Sequence, residues 1–295
     1  MRPETLHEQL FFATVRITTE APGAHGVGTG FVYDVATSAT ETASFLVTNK
    51  HVVAGATSAT LHFMRSQDAA MSTPALGGHH TVTVPDPGAA FIGHPDPHVD
   101  VAIAPITPWV GQLRDAGLFV FYRSIGSSMA LNSTNVTSLD ALEEITFVGY
   151  PNGLYDEVNG LPIMRRGITA SPVAVDYMGR AQFLVDASVF PGSSGSPVLI
   201  AESGSYSPRG GGLVLGSRAL LLGILAAVYE REVPVVIVPT ANLSVRDPLN
   251  IGIVYKASTI DDLIDQVLKQ HGLKRHVEPA AGIVVPGTTG DALTV

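Results

Sequence analysis

The 295 residues contain no cysteine. Without it no disulfide can staple the chain, so the disulfide-framed secreted class is excluded and a reducing compartment is favoured. Charge is also sparse. Charged residues make up 15% of the chain against 45% hydrophobic, which excludes intrinsic disorder. Basic residues are outnumbered by acidic ones, 17 to 26, for a net charge of −9. They are scattered, and the adjacent pairs Arg165-Arg166 and Lys274-Arg275 read as surface loops. Nucleic acid is excluded as the main partner, because neutralising phosphates needs clustered Lys and Arg. Long apolar runs are missing as well. The longest, Ala219 to Tyr229, is too short to span a bilayer and is stopped by Arg218 and Glu230. The first twenty residues carry Glu4 and Glu8 and lack the charged-then-apolar pattern of a secretion leader. The expectation is a cytoplasmic protein with no membrane partner.

What is present is a series of short runs rich in Val, Ile, Thr, Phe and Tyr. They cover 12–18, 30–33, 44–48, 59–63, 81–84, 101–105, 144–148, 163–170, 182–186, 197–200, 219–228, 233–238 and 251–255. Gly, Pro, Asn and Asp clusters separate them, which predicts many short strands and an all-β barrel or sandwich. The stretches 64–80, 85–98 and 201–212 read as loops. One helix is expected, capped by Ser258, with Ile260, Leu263, Ile264, Val267 and Leu268 on one face and an end at Gly272. Residues 276–295 carry no period and read as a flexible tail.

Three short segments carry chemistry. Thr48-Asn49-Lys50-His51-Val52-Val53 offers an imidazole, His98-Val99-Asp100-Val101-Ala102 a carboxylate beside apolar residues, and Pro191-Gly192-Ser193-Ser194-Gly195-Ser196-Pro197 hydroxyls in a tight turn. A serine hydroxyl is a poor nucleophile until a base takes its proton, and imidazole suits that task near neutral pH. A carboxylate fixes the imidazole tautomer and stabilises its cation. Negative charge developing on a substrate carbonyl needs rigid N–H donors, which the amides of Gly192 and Ser194 can supply. Each segment alone is most often structural. Three in the order His, Asp, Ser, each beside a β-type run, are far less often coincidental.

These segments resemble the trypsin-like serine peptidases, most closely the bacterial HtrA/Deg type. The resemblance includes Gly28-Thr29-Gly30-Phe31, Phe45-Leu46-Val47, Asp186-Ala187-Ser188, Leu222-Gly223-Ile224-Leu225 and Asn250-Ile251-Gly252-Ile253, and spans roughly residues 10–271. It implies two six-stranded antiparallel β-barrels, about 10–110 and 118–257, with a C-terminal helix over 258–271, in one peptidase domain over 1–275. It implies His51 as general base, Asp100 as its orienter, Ser194 as nucleophile and the Gly192 and Ser194 amides as oxyanion hole. It also implies a protein or peptide substrate cut through an acyl-enzyme, with no metal and no other cofactor.

The departures are informative. Trypsin-like zymogens carry Asp immediately before the nucleophile, to pair with a newly cut N-terminus; here that position is Ser193, so no propeptide removal is expected. HtrA-type enzymes usually carry a PDZ domain after the protease, and the residues after the helix are too few for one. By position, Ser188 is expected at the base of the pocket for the residue before the cut. Val189, Phe190, Ala226 and Val228 are expected along its walls, favouring small to medium apolar residues. Two alternatives remain at this level: a catalytically silent binding protein on the same fold, and a latent protease that needs an activating partner. A Gly-x-Ser-x-Gly elbow is absent, and His79, His80, His94 and His98 read as solvated loop histidines rather than zinc ligands.

Overall fold

The computed structural model describes residues 2–238 and 241–276, and of 227–248 the backbone alone. A capping box opens the chain. Thr5 accepts from the Glu8 N–H at 3.3 Å and Glu8 accepts from the Thr5 N–H at 3.0 Å, starting α1 (Leu6–Leu10). Eight strands follow: β1 (Thr14–Ala21), β2 (Ala24–Ala36), β3 (Thr42–Thr48), β4 (Ser58–Ser66), β5 (Pro74–Pro85), β6 (Ile92–Gly93), β7 (Ala102–Pro105) and β8 (Ile125–Gly126). Three helices interrupt them: α2 (Lys50–Val53), α3 (Pro87–Ala90) and α4 (Thr107–Asp115). The strands form one eight-stranded sheet in the order β5-β4-β1-β2-β3-β7-β6, with β8 against β2.

The second half holds β9 (Glu144–Gly149), β10 (Ile163–Thr169), β11 (Gln182–Asp186) and β12 (Pro197–Glu202). A small hairpin of β13 (Ser205–Tyr206) and β14 (Val214–Leu215) precedes β15 (Arg218–Val238), β16 (Ala241–Lys256) and α5 (Ala257–Gln270). Six of these strands close a barrel in the order β10-β11-β16-β15-β12-β9.

The closed C-terminal barrel and the terminal helix are as expected. The N-terminal sheet differs: among the described residues β5 and β6 share no ladder. The chain between them runs through Pro85-Asp86-Pro87 into α3, where proline has no N–H to donate, and β6 is two residues long. The loop expected over 64–80 shrinks, because β4 reaches Ser66 and β5 begins at Pro74; the ladder passes from Met64–His79 to Arg65–Ala75 and leaves Leu76-Gly77-Gly78 as a bulge. Helix α5 starts at Ala257, so Ser258 lies inside it and is not its cap. Residues 277–295 of the expected tail lie outside the described residues.

Three apolar clusters follow this layout. One covers one face of the first sheet, with Ile17, Leu46, Leu61 and Phe63, and one fills the barrel, with Phe147, Phe183, Val198 and Leu222. The third joins the two halves, bringing Phe31, Val101 and Ile103 against Leu199, Leu221 and Ile224. Helix α5 completes it with Ile260, Leu263, Ile264, Val267 and Leu268, each such side chain stabilising by about 1.5–3 kcal/mol. Tyr33 Oη donates to Asp261 Oδ1 at 2.8 Å, and Arg275 bridges Asp261 and Asp265 at 2.8 and 3.0 Å, pinning the helix across the first sheet.

A second seam has a pH signature. The segment 150–162 docks on β4 and β5, with the Gly77 N–H donating to the Asn159 carbonyl at 2.9 Å and Arg16 stacked 4.3 Å from the Tyr155 ring. Beneath it His62 bonds Arg16 at 3.2 Å and Thr18 at 3.0 Å. Burial, helped by the charge of Arg16 and by His79, pushes its pKa down to about 4. The unfolded chain therefore takes up a proton near pH 6.5 that the folded chain refuses until about pH 4. Stability from this site is complete above 6.5 and lost as the pH falls towards 4. The urea midpoint of the parent should fall over that window, and His62→Gln should flatten the fall.

Candidate active site

The register of two strands brings base and carboxylate together. Strand β3 pairs antiparallel with β7, Thr48 opposite Ala102. His51 lies just past the end of β3 and Asp100 just before the start of β7, so the two face each other at one end of the sheet. Asn49, fully buried, donates through Nδ2 to the Asp100 carbonyl at 2.6 Å and locks the approach. Asn49 is also the N-cap residue of α2, where it makes no side-chain cap bond. His51 Nδ1 lies 2.5 Å from Asp100 Oδ2, and the His51 backbone N–H donates to Oδ1 at 3.1 Å.

The electrostatics of Asp100 follow. Burial pushes its pKa up, but the hydrogen bond and charge of the His51 ring and the backbone N–H groups of His51 and Lys50 outweigh burial and leave it below the usual carboxylate value. Asp100 is thus ionised throughout the neutral range. Donation from Nδ1–H to its Oδ2 fixes the ring tautomer that leaves Nε2 free to accept a proton.

The hydroxyl comes from the other half of the molecule. The turn 190–196 lies between β11 and β12, and both halves hold it. Thr29, fully buried on β2, donates its N–H to the Ser194 carbonyl at 2.8 Å and its hydroxyl to the Gly192 carbonyl at 2.9 Å. Its hydroxyl oxygen also accepts the Tyr150 N–H at 3.2 Å. On the far side Gly195 N–H donates to the Leu225 carbonyl at 2.8 Å, and Leu225 N–H to the Ser196 carbonyl at 3.0 Å. Gly192 and Gly195 have φ of +84° and +89°, a left-handed backbone. Among the described residues the N–H groups of Gly192 and Ser194 donate to no protein group.

Ser194 Oγ donates to the Ala226 carbonyl at 2.9 Å; among the described residues it makes no hydrogen bond with His51. His51 and Asp100 are thus joined, while the Ser194 hydroxyl is turned onto β15.

A methyl group at Gly195 would overlap the Thr29 carbonyl oxygen and stand 2.8 Å from Thr48 Oγ1. Gly195→Ala should therefore cost about 3 kcal/mol, from overlap and left-handed backbone together, and should displace Ser194. Urea unfolding of the variant measures it.

The expected pocket residues separate. Ser188 and Phe190 are exposed, Phe190 at 39%. Ala226 is buried, with its carbonyl towards Ser194. Val189 packs into the core of the barrel. The side chain of Val228 lies outside the described residues.

Two residues were not singled out from sequence. Thr29 was legible only as the centre of Gly28-Thr29-Gly30. Arg165 corrects the reading of Arg165-Arg166 as a surface loop: both lie on β10, and strand alternation sends Arg166 outward to Glu144 at 2.5 Å and Arg165 inward beneath the turn. His79 and His80 lie on β5 rather than in a loop. Among the described residues no three His, Asp or Glu side chains converge as a metal site, and no helix is long and apolar enough to cross a membrane.

Comparison with known proteins places these features. Two curated sequences, each named Gamma-glutamyl phosphate reductase, from Desulfitobacterium hafniense strains DSM 10664 / DCB-2 and Y51, are 26% identical over 154 residues. The match covers 51% of this chain and 34% of theirs, so the chain spans about a third of the length of these relatives. Among solved structures, an HtrA-type protease, AlgW with tripeptide, superposes with TM-score 0.46 at 16% identity over 91% of this chain and 64% of its own. The serine endoprotease from Yersinia pestis gives 0.48 at 14% over 91% and 68%, and the active form of Rv3671c protease from M. tuberculosis 0.43 at 16% over 92% and 86%. The trypsin-like peptidase domain family matches residues 28–205. That span is more than half of the chain and encloses His51, Asp100 and Ser194, so the chain belongs to the trypsin-like peptidase domain family.

Proposed function

We propose that the chain is a serine endopeptidase in which His51 is the general base, Asp100 its orienter and Ser194 the nucleophile, with the Gly192 and Ser194 amides as oxyanion hole. The observation that carries this reading is the 2.5 Å contact of His51 Nδ1 with Asp100, made at the end of a sheet whose neighbouring strand β2 grips the Ser194 backbone. In the reaction the Ser194 hydroxyl leaves the Ala226 carbonyl and gives its proton to His51 Nε2 as Oγ attacks the peptide carbonyl. The oxyanion accepts the two free N–H groups. Collapse breaks the C–N bond, and the leaving amine takes its proton from His51. Water, giving a proton to the same nitrogen, then hydrolyses the ester and restores Ser194.

The N-terminal sheet is read as the first barrel of the pair, with the end that carries His51 and Asp100 facing the cleft. Exposed Ser188 and Phe190 with buried Ala226 support a shallow pocket for small to medium apolar side chains, and Val189 contributes from the core behind it. The cysteine-free composition supports a cytoplasmic setting. A second reading, a latent protease that an activating partner switches on, is favoured by one observation: the Ser194 hydroxyl is engaged with Ala226 instead of His51. Incubation of the protein with a mixed peptide library and sequencing of the new termini tests both. Cleavage after small apolar residues supports the active reading, cleavage only after a partner is added supports the latent one, and absence of cleavage in every condition contradicts both.

A further inference from the structure

Among the described residues Arg165 has no counter-ion. Its guanidinium stacks 4.4 Å from the Phe147 ring centroid. Nη1 donates to the Ser188 carbonyl at 2.8 Å and Nη2 to Ser193 Oγ at 2.8 Å, and both acceptors are neutral. Among the described residues its Nε–H has no partner, and no carboxylate pairs with it. Burial pushes its pKa down to about 10, which still leaves it charged at neutral pH. A partly buried, unpaired charge is costly, so packing alone is a poor account of its presence.

Its two bonds land on both ends of one short segment. Ser188 begins the stretch that leads into the turn, and Ser193 directly precedes the nucleophile. Ser193 is fully buried. It closes the turn on itself, its N–H donating to the Phe190 carbonyl at 3.0 Å and its Oγ accepting the Phe190 N–H at 3.4 Å. The Gly192 and Ser194 amides lie on either side of this residue. The Ser194 N–H lies in the peptide plane between Ser193 and Ser194, and the Gly192 N–H lies one plane further back, hinged to Ser193 through the φ and ψ of Gly192, a backbone that glycine makes easy to rotate. Bonds from a cation are about twice as strong as neutral ones, and these tie the turn to β10, a strand of the closed barrel.

We propose that Arg165 is a positioning residue: by clamping Ser188 and Ser193 to β10 it holds the Gly192 and Ser194 amides aimed at the reacting carbonyl. Assembly of the oxyanion hole is then built into the uncut chain, with an internal guanidinium as the fixed cation beneath the turn. This inference rests on the peptidase reading above but does not follow from it, since among the described residues Arg165 makes no hydrogen bond with His51, Asp100 or Ser194.

The test compares rates of fluorophosphonate labelling, with kcat and KM on a cleaved peptide, for the parent, Arg165→Met, Arg165→Lys, Ser193→Ala and the double variant Arg165→Met/Ser193→Ala. Arg165→Met should slow labelling and kcat by ~10²-fold with KM little changed, as for loss of an oxyanion donor. Arg165→Lys should recover part of the rate. In the Arg165→Met background Ser193→Ala should slow the rate far less than it slows the parent, because the bond the two residues share is already lost. Thermal midpoints identify loss by unfolding; should Arg165→Met fail to fold, Arg165→Lys and Ser193→Ala carry the same comparison. Labelling at the parent rate in folded Arg165 variants overturns this inference alone, as does strict additivity of the double variant. Failure of the parent itself to label overturns the peptidase reading and this inference with it.

Discussion

Ser194→Ala should lower kcat by ~10⁴-fold or more while leaving the fold as stable as the parent. Both halves of that expectation come from the way the turn is held. The backbone of residue 194 is fixed by main-chain bonds, from Thr29 N–H to its carbonyl and from Gly195 N–H to Leu225, which alanine preserves. The side chain makes one hydrogen bond, to the Ala226 carbonyl. Losing a single neutral bond at a half-exposed site costs about 1 kcal/mol or less, because water takes its place. On the proposed reading, catalysis loses the atom that forms the ester. The oxyanion hole and His51 survive, so a small residual rate above solution hydrolysis should persist. Peptide turnover and the urea midpoint, measured on the same preparation, separate the two effects.

Asp100→Asn should lower kcat by ~10⁴-fold, again with the fold intact. The carboxylate accepts two donors at once, the His51 ring at Oδ2 and the His51 backbone N–H at Oδ1. An amide has one accepting oxygen. If that oxygen serves the backbone N–H, the NH₂ group faces Nδ1 and forces the ring proton onto Nε2. An imidazole protonated at Nε2 cannot take the Ser194 proton. The variant also reports on acid stability. Because Asp100 is held below the usual carboxylate value of 3.8, it contributes stability above that pH and loses it as the pH falls through the depressed value. The stability gap between parent and Asp100→Asn should therefore be widest near neutrality and narrow in strong acid. An equal gap at all pH values would contradict this.

Local patterns carried the sequence reading furthest. The strand over 182–186 and most of the barrel were legible because β-branched runs stand between turn residues. The His, Asp and Ser segments were legible because each sits at the end of such a run. Signals that depend on distant partners were weaker. The run 81–84 was legible as strand, but the earlier part of β5 reads as loop because Gly77-Gly78-His79-His80 carries no β pattern; pairing with β4 overrides propensity there. The runs expected over 219–228 and 233–238 fuse into β15 across Glu230-Arg231-Glu232, because β16 runs alongside without a break in pairing partner. Helices α1 and α4 had usable signals, Thr5 with Glu8 and Thr107-Pro108. Arg165 was hidden for a different reason. A basic pair reads as surface, and only the facing of β10 shows that one of the two turns inward. The open edge between β5 and β6 depends on long-range closure that no local window encodes.

The central claim is that Ser194, His51 and Asp100 act as one nucleophilic unit. The most direct measurement is intact mass after fluorophosphonate treatment, followed by peptide mapping, on the parent and Ser194→Ala. The account predicts a single phosphonyl adduct on Ser194 of the parent and none on Ser194→Ala. An unmodified parent, or an adduct on Ser193 or Ser196, would contradict it.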